Sequence, residues 1–153
     1  MDDDDLGQLV VRGVERTLEL AATWLHWDGR PRVSEGGDRI YTPNKVIRRY
    51  ADHLVDHLAQ IEALAAGRAG HPDHWHGSLV TIGPDWAPFT EVELNEARER
   101  LRRLASVYVM RLDALGRQSW DEPRGSAWTI RAIVEHVARP WYAEQLGDLR
   151  PPA

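Results

Sequence analysis

Apolar residues recur at helical spacing in four segments of this chain, and no segment shows sustained strand alternation. In the first, Leu6, Leu9, Val10, Gly13, Val14, Thr17, Leu18, Ala21 and Leu25 form one stripe, predicting a helix from Leu6 to Leu25. Asp2 to Asp5 stand where a helix start favours negative charge, and Asp5 with Gln8 resembles a capping box. The second stripe is Val46, Tyr50, Leu54, Leu58, Ile61 and Leu64. Thr42 is its expected cap, Pro43 its first turn and Gly67 its stop. The third is Leu94, Ala97, Leu101, Leu104, Ala105, Tyr108, Leu112 and Leu115. Thr90 and Glu93 make its capping box, Phe89 and Leu94 its hydrophobic staple, and Gly116 its end. The fourth helix is predicted from Thr129 to Leu146, with Ile130, Ile133, Val134, Val137 and Trp141 on one side.

Two long connections separate these helices. Residues 27–43 hold Asp28-Gly29, Gly36-Gly37 and two prolines, and residues 68–89 are rich in Gly, Pro, His and Trp. The expected fold is therefore all-α: one domain over residues 1–153, a four-helix bundle with long crossover loops.

Composition narrows the function classes. The chain has 153 residues and no cysteine, so disulfides, thiolate metal sites and cysteine nucleophiles are excluded. A net charge of -5 argues against nucleic acid, and the basic cluster at Arg98, Arg100, Arg102 and Arg103 is interleaved with Glu96 and Glu99 as on a solvated helix face. No apolar stretch approaches the roughly 20 residues a membrane span needs. The acidic N-terminus is the reverse of a signal peptide, so a cytoplasmic location is expected. Seven tryptophans are many for this length, and some are expected to line a cleft.

The candidate chemistry lies in the histidines. His53 and His57 are one turn apart on the second helix, and His136 stands on the fourth. Two imidazoles at i and i+4 with a third from a facing helix can hold Zn, Ni or Fe and leave positions open for water or substrate. A histidine at the edge of an apolar stripe is, however, more often a hydrogen-bonded core residue. Pro140 removes a main-chain hydrogen bond to residue 136 and can kink the helix there. Glu144 is a candidate fourth ligand or general base. In the second loop His71, His74 and His76 have a spacing that could bind metal alone. Trp75 and His76, and similarly Asp85 and Trp86, are candidates for ligand contact; the plainer reading is a surface loop covering the core ends.

Two segments resemble the DinB-like superfamily of metal-binding four-helix proteins, which includes thiol S-transferases and mycothiol-dependent isomerases. Trp128-Thr129-Ile130-Arg131-Ala132-Ile133-Val134-Glu135-His136-Val137 is similar to the segment opening that family's last helix, and Tyr50 to Leu58 to its second-helix histidine segment. The resemblance implies a triad of one histidine from the second helix and two, spaced H-x-x-x-H, from the last. His136 matches the first of that pair; Pro140 stands at the second and binds no metal, leaving His57 or Glu144 to complete the set.

Two functions are expected on this basis. One is a metal-dependent transferase, isomerase or hydrolase of a small molecule, with Zn or Ni held by His53, His57 and His136 and a low-molecular-weight thiol as cosubstrate. Trp75, His76 and Trp141 would line its pocket. The other is a non-catalytic bundle that binds a ligand or partner and has lost its metal. A homodimer is the expected assembly for either.

Overall fold

Helices start where side chains can take up the free N–H groups of the first turn. In the computed structural model, which describes residues 5–70 and 77–153, α1 (Leu6–Ala21) begins at Asp5, whose carboxylate accepts from the N–H groups of Gly7 and Gln8. Thr42 caps α2 (Pro43–Ala65) through the Lys45 N–H, and Thr90 caps α3 (Glu91–Leu115) with the reciprocal bond from Glu93. All three starts match the sequence signals. Gly116 ends α3 at φ 76°, a left-handed conformation that costs glycine little.

The described residues are mostly helical. The broadest packing joins α1 to α3, burying Leu6, Val10 and Val14 with Leu101, Ala105 and Tyr108. α2 lies against α3 as well, and the Tyr108 hydroxyl donates to the Leu54 carbonyl at 2.6 Å inside that contact. Among the described residues, no helix is long and apolar enough to cross a membrane.

Four local features differ from the sequence expectation. The first helix stops at Ala21, and Trp24–His26 forms a separate 3-10 turn. The first long connection contains a small antiparallel hairpin, β1 (Arg32–Val33) and β2 (Ile40–Tyr41), whose turn brings Gly37 to φ 75°. Its strands are too short to leave an alternating signature. A one-turn helix, α4 (Arg117–Trp120), follows α3 and buries Trp120.

The fourth difference matters most. The predicted last helix is broken into α5 (Ile130–Val137) and α6 (Trp141–Leu146). Pro140 has no N–H to continue the ladder, so the chain turns at Ala138 to Pro140 and restarts. The restart shifts the helical phase: Tyr142, Ala143 and Leu146 become the buried face of α6, while Glu144 faces solvent. Both pieces pack on α1 and α2.

The turn at the end of α5 is pressed against α1 at Gly13. A β-carbon there would lie 1.9 Å from the Ala138 carbonyl oxygen, a main-chain atom that cannot swing aside. Gly13→Ala should therefore lower stability by about 3 kcal/mol or more, beyond the helix-propensity gain, as read from urea unfolding midpoints.

Candidate metal centre

The helical rise places His53 and His57 one turn apart on the same face of α2. α5 crosses that face near its C-terminal end and contributes His136. Each of the three residues offers a ring nitrogen, and the three nitrogens lie within 4.8 Å of one another. The rings are packed in a triangle, with centroid separations of 4.5 Å for His53–His57 and 5.0 Å for both pairs that include His136.

Distances and tautomers both suit metal ligation. His53 Nε2 and His136 Nε2 are 3.1 Å apart. Two nitrogens bound at about 2.0–2.1 Å to a tetrahedral ion would be separated by about 3.3 Å. His57 Nδ1 lies 2.8 Å from Gln60 Oε1, and His53 Nδ1 lies 2.9 Å from the Tyr142 hydroxyl. Donation of Nδ1–H to these oxygens leaves each Nε2 with a free lone pair. This is how hydrogen-bonded neighbours orient metal-binding histidines.

Electrostatics favours the neutral form of His53 and His136. Burial, reinforced by His57, His136 and Arg49, pushes His53 down to about 3. Burial also lowers His136, with His57 and Arg139 adding to the effect. Desolvation disfavours imidazolium, and three rings this close cannot all be charged.

The triad opens on a cleft of about 640 Å³, within the range of small-molecule sites. Its walls carry Arg39, Arg49 and Asp56 as charged groups, with Ser78 and Tyr142 as hydroxyls. Leu79 and Trp128 are exposed apolar residues at its edge, and the Trp128 ring meets His136 edge-on at 5.2 Å.

The structure thus brings together His53, His57 and His136 but not the other candidates. Glu144 is exposed and outside the cleft, because the restart at Pro140 turns it away from the face it would occupy in an unbroken helix. Trp141 packs edge-on against Tyr41 and Tyr142 rather than lining the cleft. Asp85 is buried and engaged by the Arg48 guanidinium at 2.8 and 2.9 Å and by the Ile82 N–H at 2.9 Å; Trp86 lies exposed outside the cleft. His71, His74, Trp75 and His76 lie outside the described residues.

Sequence reasoning missed Arg39, Arg49, Asp56, Gln60, Ser78 and Tyr142. Gln60 had a readable signal, since i+3 from His57 is one turn along the same face. Tyr142 had none, because its place depends on the phase shift at Pro140. No family model, curated protein or solved structure matches this chain.

The lowered His53 pKa carries a pH dependence. Above about 6.5 the ring is neutral in both folded and unfolded chains and contributes no difference. Below it the unfolded chain takes a proton that folded His53 refuses until about pH 3, so acid favours unfolding. Metal-free protein should lose stability as pH falls from 6.5. Replacing His53 with Gln should flatten that part of the profile, as measured by urea unfolding at stepped pH.

Proposed function

We propose that this protein is a metal-dependent enzyme acting on a small molecule, built as a DinB-like four-helix bundle whose fourth helix is interrupted at Pro140. The observation that carries the reading is the convergence of three imidazole nitrogens within 4.8 Å at a cleft of small-molecule size. The resemblance of the two histidine segments to the DinB-like superfamily supports the same class. His57 on α2 then takes the part for which that family uses a second histidine on its last helix.

His53, His57 and His136 would hold the ion, Zn or Ni by the preference of imidazole donors. A divalent ion there supplies Lewis acidity, easing proton loss from a bound water or low-molecular-weight thiol. Gln60 and Tyr142 hold the ligating rings in orientation. Asp56, on the cleft wall, replaces Glu144 as the carboxylate placed to accept a proton. Trp128 stands beside His136, its ring edge-on at 5.2 Å, at the edge of the cleft. Transfer, isomerisation and hydrolysis are all within reach of this arrangement. The reading carries with it a cytoplasmic homodimer that binds neither nucleic acid nor membrane.

One observation favours a second reading. The 3.1 Å separation of His53 Nε2 and His136 Nε2 also suits a hydrogen bond between two imidazoles, which would make the histidines internal glue in a non-catalytic ligand-binding bundle.

Metal separates the two. Untagged protein should retain stoichiometric zinc or nickel in elemental analysis, and His57→Ala and His136→Ala should lose it. Zinc at a hundredfold excess over its dissociation constant should add about 2.7 kcal/mol of stability, raising the Tm by about 5–10 °C and reversibly with chelator. Full metal retention by both alanine variants would remove the site as drawn. An unchanged Tm would favour the second reading. Tyr142→Phe should keep the fold and weaken metal binding about 10- to 100-fold, as measured by competition with a chromogenic chelator.

A further inference from the structure

The face of α2 that carries the histidines does not end with them. His53, His57, Gln60 and Leu64 follow one another at helical spacing, so the cleft continues past the triad along the same stripe. Leu64 lies two turns beyond His57, about 10 Å along the helix axis. The turn before α5 forms the other side of this arm. Arg124 and Ala127 pair there across a bridge, with Gly125 at φ 64°, and the Arg124 guanidinium donates to the Leu64 carbonyl at 3.1 Å. That bond holds Ala127 and Trp128 beside the C-terminal end of α2.

Among the described residues, no arginine or lysine lines this arm. Arg124 turns its guanidinium to Leu64 and Glu122, and Arg131 is bound to Asp121 at 2.6 and 3.0 Å. The cleft's arginines stand at its other end, where Arg49 pairs with Asp52 at 3.2 Å and Arg39 with Asp38 at 3.4 Å. Gln60, the polar side chain of the arm, takes His57 Nδ1 at 2.8 Å. What the arm leaves unmatched is apolar surface. Trp128 is 49% exposed although it lines a concave cleft, and Ala59 and Ala127 are exposed with it. An indole left half in water forgoes much of the gain that burying it would bring.

We infer that this arm, formed by Leu64, Ala127 and Trp128, receives the apolar, preferably aromatic body of the cleft's substrate, while the reacting group lies at the histidines. The Trp128 ring stands 5.2 Å from that of His136, so a molecule held at the triad reaches it directly. A ring packed against an indole gains from stacked or edge-on geometry beyond its buried area. The cleft, of about 640 Å³, has the size for such a molecule. The inference rests on the triad being a metal site for a small molecule, as proposed above.

Hydroxamates test it, because they join a metal-binding head to a variable body. Acetohydroxamate, benzohydroxamate and succinic monohydroxamate are titrated by calorimetry into the zinc-loaded full chain, each affinity being divided by that of the same compound for zinc in water. On that scale benzohydroxamate should bind about tenfold more tightly than the other two. Trp128→Ala should reduce the preference to about threefold or less, and a ratio read within one protein cancels any change in zinc affinity. Ala127→Asp, at an exposed position, puts a charge into the arm and should reduce the preference likewise. Equal binding of acetohydroxamate and benzohydroxamate, tighter binding of the succinic compound, or a preference that survives both substitutions would overturn the arm. Benzamide and acetamide are titrated into metal-free protein as well. Benzamide should saturably shift the Trp128 indole N–H resonance, the signal missing from Trp128→Ala, and acetamide should not. If zinc fails to bind but benzamide still shifts Trp128, the metal reading falls and the apolar arm stands. If zinc binds while the ratios are flat and benzamide leaves Trp128 unmoved, the arm falls and the metal reading stands.

Discussion

A proline has no main-chain N–H to donate, and position 140 places that missing donor in the middle of the last helical segment. The helix stops at Val137, the chain turns, and a second piece restarts at Trp141 in a different phase. Two contacts depend on this interruption. The Ala138 carbonyl at the turn lies against α1 where only a glycine, Gly13, leaves room for it. The Tyr142 side chain, which an unbroken helix would aim elsewhere, places its hydroxyl 2.9 Å from His53 Nδ1. The residue that interrupts the helix thus supplies the geometry that orients His53.

The cleft divides its electrostatics between two neighbouring regions. At the triad, proximity and burial favour the uncharged form of His53 and His136, which leaves their ring nitrogens available as lone-pair donors. On the adjoining wall, guanidinium groups remain charged at any ordinary pH. Hydroxyls of Tyr142 and Ser78 lie between the two.

Features written in local sequence were readable, and those that depend on distant contacts were not. The caps at Asp5, Thr42 and Thr90 act on residues two or three positions away, so their signals lie within one turn. The pairing of His53 with His57 follows from helical pitch alone. The association of His136 with them rests on a family resemblance, since nothing in the spacing connects residues 83 positions apart. The hairpin that carries Arg39 and Tyr41 has two residues per strand, too few for alternation to register. Pro140 was legible as a kink, but the new phase after it was not, and Glu144 and Trp141 were misplaced for that reason.

The turn after α1 is fastened to the segment after α6. The Trp24 indole donates to the Gly147 carbonyl at 2.8 Å, and the Leu149 N–H donates to Thr23 Oγ1 at 3.1 Å. These bonds span 123 and 126 residues, so each closes a long loop at a cost in chain entropy. α5 and α6, which carry His136 and Tyr142, sit just before that fastening and dock on helices made from the first half of the chain. Closure entropy over such separations slows folding. On a growing chain, α1 and α2 emerge before α5 and α6, so His53 and His57 are made well before His136 and Tyr142 can complete the triangle.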